Sequence, residues 1–376
     1  MKLTMQLKSR SYDIILKAGC LANLHQFTNV ENRRVFVLTD SGVPKQYAET
    51  VAAQCPRATI YTIPQGEGSK CLKVYGQVLQ AMLEFGMDRK DLLVAVGGGV
   101  VGDLGGFCAA SYMRGIDFVN CPTTTLAQVD SSIGGKTAID LGETKNIVGA
   151  FWQPKVVLVD FDTLATLPRR QVVNGLAEAL KTGLIGDPQL FALFETEDPE
   201  AYIEQIVYRS LKFKKKIVEQ DEREGSVRAC LNFGHTIGHG IEAVRGVRGR
   251  RTTGLYHGEC VALGMLPMIE DPALVKRVEQ QAADAAAGAY MKERGQFLTA
   301  IQTFCQQVFQ LSEGIRFDQL ANPEIFAGID LPEKIAPARG AVALREAEEL
   351  LFTLRFNVNE ELALRTFAVN LATKRQ

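Results

Sequence analysis

Asp91–Tyr112, DLLVAVGGGVVGDLGGFCAASY, is the stretch whose reading decides the fold. Leu92 to Val96 is an uninterrupted apolar run of strand length, Gly97 to Gly99 a tight turn, and Val100 onward a helix of small residues. A strand with no polar face must be covered on both sides, which a parallel sheet flanked by helices provides. Working outward, RRVFVLTD (33–40) is another apolar strand, ending in Asp40. A helix through YAETVAAQC (47–55) leads to a strand at ATIYTIP (58–64), and QVLQAMLEFGM (77–87) has helical periodicity. VVLVDFDTL (156–164) gives a further strand and turn, after which the pattern is mostly helical. The predicted fold is therefore an α/β, Rossmann-like N-terminal domain with a parallel sheet, residues 1–160, joined to a mostly α-helical C-terminal domain, residues 161–376.

A helix starting behind a glycine turn presents bare backbone N–H groups and its positive dipole end to whatever lies there. GGGVVG (97–102) also matches GxGxxG, whose glycines let a pyrophosphate approach the backbone. Alone the match is weak, since such turns serve simple packing in many α/β proteins. Asp40, at a strand end, could accept ribose hydroxyls, and PQGEGSK (64–70) is a polar loop at another strand end. In a standard Rossmann domain the fingerprint follows the first strand, so a cofactor site here would be an atypical variant.

From residue 120 small polar and basic residues accumulate. Asp130, Lys136, Lys145 and Asn146 lie in a glycine-interrupted segment framed by apolar residues, a composition suited to lining a polar pocket. Glu178 and Lys181, three apart, share a helix face among small residues; a surface ion pair is the commoner reading of such a spacing. Lys214, Arg228 and Asn232 precede the histidines and would suit a phosphate or carboxylate, whereas Lys212, Lys214, Lys215 and Lys216 could equally form a solvated face. Three of the 4 histidines, His235, His239 and His257, fall in CLNFGHTIGHGIEA (230–243) and LYHGECVALGM (255–265). Imidazole is the commonest metal ligand near neutral pH, so the cluster suggests a divalent cation site. Spacing alone pairs His235 with His239 and could recruit Glu242; packing or capping roles are the alternative.

Composition narrows the class. At 376 residues and 46% hydrophobic content the chain can form two domains with sizeable cores, and a net charge of -1 offers no basic face for nucleic acid. The first residues lack the pattern of a secretory signal, and no apolar run is long enough to span a bilayer. The 8 cysteines are scattered without CxxC spacing, as in a reducing cytoplasmic compartment.

Five segments carry a more specific signal: VGGGVVGDLGGFCAASYMRG (96–115), PTTTLAQVDSSIGGKTAIDLGETKNIVGAFWQP (122–154), GLAEALKTGLI (175–185), DEREGSVRACLNFGHTIGHGIEA (221–243) and YHGECVALGM (256–265). In order and spacing they resemble the 3-dehydroquinate synthase family of sugar phosphate cyclases, a likeness running from about residue 30 to about 270. The resemblance implies NAD and one divalent metal ion, zinc or cobalt, in a cleft between the domains, and a homodimer. It implies conversion of a seven-carbon sugar acid phosphate, DAHP, to 3-dehydroquinate with release of phosphate, a carbon–oxygen lyase step of the shikimate route to chorismate and the aromatic amino acids. Transient oxidation by NAD acidifies the neighbouring C–H, phosphate leaves, the same NADH reduces the product, and an intramolecular aldol closes the ring.

Residue by residue, the resemblance makes Glu178, His235 and His257 the metal ligands and His239 a substrate or phosphate contact. Lys136, Asn146, Lys214, Arg228 and Asn232 would hold the phosphate with it, and Asp130 and Lys181 the hydroxyls and carboxylate. Arg114 would reach the neighbouring subunit's site. Cofactor contacts would be Asp40, Glu67 and Lys70, then Gly99, Val100, Val101, Gly102 and Asp103, then Thr123, Thr124, Lys136, Lys145 and Thr166.

The likeness ends in the last hundred residues, where the family's terminal lysine element is missing; Lys334 is a candidate replacement. Segments 278–311 and 345–367 read as amphipathic helices, and 245–256 as an arginine-rich loop. Other readings are a cyclase acting on sedoheptulose 7-phosphate or glucose 6-phosphate, a glycerol or alcohol dehydrogenase of the same fold, or a nucleotide binder without activity.

Overall fold

The structure, a computed structural model, describes residues 1–142, 144–196, 198–245, 254–270, 295, 298–326, 335–354, 363, 366, 367 and 370. Lys334 and residues 246–253 of the arginine-rich loop lie outside this set, as do parts of the two C-terminal segments. The chain forms two compact units, Met1–Val275 and Lys276–Gln376.

The first unit is built on a seven-stranded sheet. Its strands are β1 (Lys2–Met5), β2 (Tyr12–Leu16), β3 (Val35–Asp40), β4 (Ala58–Ile63), β5 (Leu92–Gly97), β6 (Asp117–Pro122) and β9 (Val156–Val159), in the order β1-β2-β9-β6-β5-β3-β4. Every neighbouring pair is parallel except β1 with β2. The strand read from Leu92–Val96 lies centrally between β3 and β6, and all six residues of β3 and of β5 are buried. Alternate residues feed two cores, as a period of two requires. Val35, Val37, Val94 and Val96 pack with α1 (Leu24–Phe27) and α2 (Lys45–Ala52); Phe36, Leu38, Leu93 and Ala95 pack with α3 (Leu72–Glu84) and α4 (Gly99–Ser111).

A third core joins the β1-β2-β9 end of the sheet to helices. Met5, Ile14, Leu16, Val157 and Val159 meet side chains of α5 (Arg169–Gly186), α6 (Pro188–Phe194) and α7 (Ile203–Gln220). Helices α8 (His235–Arg245) and α9 (His257–Glu270) pack on each other, and α9 on α5. The metal-ligand candidates thus sit on helices anchored to the sheet that carries the glycine turn.

Two features were not read from the sequence. The N-terminal strands form an antiparallel hairpin at the sheet edge, and the polar segment after residue 120 contains a hairpin of its own, β7 (Lys136–Leu141) with β8 (Thr144–Phe151). Five of the eight residues of β8 are exposed and Gly149 interrupts it, so it lacks the apolar alternation by which strands are recognised. The hairpin lies on α4, where a Cβ at Gly106 would come within 2.4 Å of Thr137 Cγ2.

In the second unit, a helix over 298–312 and the helix Pro337–Thr353 enclose Cys305, Ala343 and Ala347. Among the described residues no helix is long and apolar enough to cross a membrane.

Candidate active site

The carboxyl ends of the parallel strands open into a cleft of about 450 Å³. On its floor lie Asp40 at the end of β3, Gly98, Gly99 and Val100 at the start of α4, and Thr123 and Thr124 after β6. Among the described residues no side chain caps α4, so its first amides form an anion-binding end on the cleft floor, as a pyrophosphate requires. Burial raises the Asp40 carboxyl against the pull of the Gly42 and Val43 amides, and the Gly42 N–H donates to it at 2.7 Å. Thr166 shares a 2.8 Å hydrogen bond with Tyr47, another lining residue.

Lys70 donates to Asp103 at 2.7 Å and to Asn146 at 2.5 Å, with Glu67 3.8 Å away. Burial disfavours the Lys70 charge, but Asp103 and Glu67 outweigh it and raise its pKa. The next residue to Asn146, Lys145, turns the other way and donates to Glu242 at 3.1 Å. Val101 is buried in the core and Gly102 lies against Asn120, so neither lines the cleft with a side chain.

At the helical end, Glu178 is 1% exposed. Its Oε2 accepts from Lys181 at 2.5 Å, while Oε1 has no hydrogen-bond partner among the described residues. The nearest imidazole nitrogens are Nε2 of His257 at 3.5 Å and Nε2 of His235 at 3.8 Å. A buried carboxylate oxygen without a donor is costly, and here it faces two ring nitrogens across a gap suited to a cation. One carboxylate and two imidazoles are a donor set for zinc or a similar borderline ion, so the residues fit a divalent metal.

The other ring atoms reinforce this orientation. His235 Nδ1 lies 3.3 Å from the Phe233 carbonyl, and His257 Nδ1 donates to Glu242 Oε1 at 2.8 Å. Such partners turn the opposite nitrogen towards a metal. Burial, with Lys181 and His257 nearby, lowers His235 to about 4 despite Glu178. Burial also works against a charged His257, but Glu178 and Glu242 together push it up to about 9. Glu178 itself is held well below the usual carboxylate range: burial opposes this, and Lys181 and the two histidines overcome it.

His239, Glu242 and His257 also lie within ligand distance of one another. There, however, both Glu242 oxygens are engaged, Oε1 by His257 and Oε2 by His239 at 3.0 Å and by Lys145. The vacant Oε1 of Glu178 distinguishes the first group from this one.

Between metal group and floor, Lys214 contacts both a carboxylate oxygen and the backbone carbonyl of Asp130 at 2.8 Å. Burial lowers its pKa, and Arg228 adds to the effect. Arg228 is 2% exposed and donates to the Glu222 and Gly134 carbonyls. Lys136 and Asn232 converge on Glu224 instead of lining the cleft with Asp130, Asn146 and His239. Arg114 stands exposed at φ 67 on the turn after α4. Tyr47, Asn174 and Tyr256 line the cleft without having been singled out in the sequence. Asn174 lies one helical turn before Glu178, and Tyr256 directly precedes His257, so scanning neighbours of the candidate ligands would have found both.

Fold and site define a protein with a mostly parallel α/β sheet coupled to helices that bring together a Glu-His-His group able to hold a metal ion. 2-Deoxy-scyllo-inosose synthase, solved with carbaglucose-6-phosphate, NAD+ and Co2+, shares the architecture at TM-score 0.64 and 28% identity over 70% of this chain and 75% of that one. The families described as 3-dehydroquinate synthase N-terminal and C-terminal match residues 60–174 and 175–312. The chain belongs to the 3-dehydroquinate synthase family. It is 44% identical to 3-dehydroquinate synthase of Pelobacter propionicus over 276 residues, covering 70% of this chain and 76% of that protein. It is also 44% identical to that of Streptococcus thermophilus over 277 residues, covering 71% and 77%.

Proposed function

We propose that the protein is a 3-dehydroquinate synthase, a lyase that converts DAHP to 3-dehydroquinate and inorganic phosphate with NAD and one divalent ion. The observation that carries this reading is the buried, unpartnered Glu178 oxygen facing two imidazoles at one end of a cleft whose floor is an uncapped helix start. When bound, the dinucleotide supplies reversible hydride acceptance at a substrate alcohol, and the ion supplies Lewis-acid polarisation of that oxygen.

In this reading Glu178, His235 and His257 hold the ion, and Lys181 keeps Glu178 ionised. Asp40, Glu67, Lys70, Asp103, Thr123, Thr124, Lys145 and Thr166, with the backbone of Gly99–Gly102, hold the dinucleotide. Asp130 and Lys181 orient substrate hydroxyls and carboxylate. Asn146, Lys214, Arg228 and His239 form the phosphate end, where fixed cations draw the leaving group away from carbon, and Lys136 and Asn232 would join it on parting from Glu224. Functionally the division falls near residue 160, cofactor binding before it and metal and substrate binding after. Arg114, exposed and outside its own cleft, suits a contact across a homodimer. All eight cysteines are unpaired, as expected in the cytoplasm.

Purified protein given NAD, a divalent metal and DAHP is expected to release phosphate without net accumulation of NADH. Net NADH would instead indicate a dehydrogenase. Identity of 44% to synthases against 28% to the inosose cyclase favours DAHP over other sugar phosphates. Phosphate release from glucose 6-phosphate but not DAHP would reverse that choice.

A further inference from the structure

Helix α5 carries more than the Glu178 ligand. Arg170, Asn174 and Glu178 recur every four residues, which places them on one helix face. Each engages a different residue of a consecutive run, His257, Gly258 and Glu259, at the start of α9. Glu178 Oε1 faces His257 Nε2 at 3.5 Å. Asn174 Oδ1 accepts from the Gly258 N–H at 2.7 Å. Arg170 grips Glu259 in a fork, Nε to Oε1 at 2.6 Å and Nη2 to Oε2 at 2.8 Å, with its guanidinium 5.0 Å over the Tyr256 ring. Glu259 in turn accepts from the Tyr256 N–H at 2.9 Å.

The packing leaves no slack. A Cβ at Gly258 would stand 1.9 Å from the Asn174 carbonyl oxygen, so only glycine lets the helices meet at this distance. Asn174 is 4% exposed and satisfies an amide that the helix start leaves without an intrahelical partner. His257 is the first residue of α9, where an untethered turn would fray and let the imidazole swing away from Glu178.

We propose that Arg170 and Asn174 are positioning residues that clamp the first turn of α9 and thereby fix His257 against Glu178, setting how tightly the metal ion is held. The proposal rests on the reading that Glu178, His235 and His257 are the ligands.

The test is Co2+ binding to the full-length protein, followed by the visible absorption of the bound ion and by equilibrium dialysis. Asn174→Ala and Arg170→Met are each expected to weaken Co2+ binding by about 10- to 100-fold, the usual effect of removing a group that orients a ligand. The absorption spectrum should change with them, reporting altered geometry. Asn174→Asp keeps the acceptor, faces a helix start that favours negative charge, and should restore affinity to within about threefold of the parent. Glu259→Gln, at the more exposed end of the clamp, provides a reading should Asn174→Ala fail to fold. Affinity and spectrum unchanged in the folded variants would overturn the proposal while Glu178→Gln still abolished binding. Should Glu178→Gln leave binding intact, or the parent bind no Co2+, the ligand assignment itself falls, and the clamp with it.

Discussion

His257 and Glu242 are joined by a 2.8 Å hydrogen bond from Nδ1 to Oε1, and this leaves Nε2 of the same ring facing Glu178. The ring is held from both sides by carboxylates of different kinds, one fully committed to protein donors and the other with an oxygen to spare. Replacing Glu242 by Gln keeps the volume but weakens the charge-assisted bond. Metal affinity, measured by competition with a chromophoric chelator, is expected to fall about 10- to 100-fold.

Glu178→Gln and His257→Ala each remove one of three proposed ligands. Phosphate release from DAHP at saturating NAD should drop by at least about a thousandfold, because several kcal/mol of charge stabilisation depend on the ion. A coupled phosphate assay on protein first stripped and then reloaded with metal checks this, and activity retained in either variant contradicts the ligand set.

Gly258→Ala inserts a methyl group against a backbone oxygen that cannot rotate away. A loss of about 1–3 kcal/mol in stability is expected from such overpacking, read by urea unfolding. Metal affinity should fall in the same variant, since the displaced turn carries His257.

Asp221 closes the turn leading to Arg228. Its carboxylate accepts from the backbone amides of Arg228, Gly225 and Ser226, which lower its pKa from 3.8 to about 2. Folding therefore favours the ionised form. Its contribution is complete above about pH 4 and is lost as pH falls towards 2. The stability difference between the parent protein and Asp221→Asn should shrink over that acid window, and a difference constant from pH 5 to pH 2.5 contradicts the assignment.

Much of this was legible in the sequence because it depends on strong local patterns. Buried strands such as VFVLTD and LLVAVG announce themselves by lacking any polar face, and the glycine turn lies where they end. Spacing within one helix could not choose between Glu178 and Glu242 as partner of the histidines, since the choice depends on which carboxylate spends its oxygens on other donors. Resemblance to a known family named Glu178, and its Oε1, without a hydrogen-bond partner among the described residues, supports that choice. The hairpin of β7 and β8 escaped notice because its strands are polar and glycine-broken, and its shape comes from packing on α4. Asn174 and Arg170 escaped for a different reason: their partners lie more than eighty residues away, and no local period reveals them.

Lys145 and Asn146 follow each other on β8, one bonded to Glu242 beside the histidines, the other to Lys70 beside the glycine turn. Asn146 stands at φ 54, where the pairing of β8 with β7 shifts register, and this bulge aims the two neighbours at opposite ends of the cleft. That irregular spot in the ribbon ties the spelling of a surface hairpin to the chemistry at both ends of the cleft.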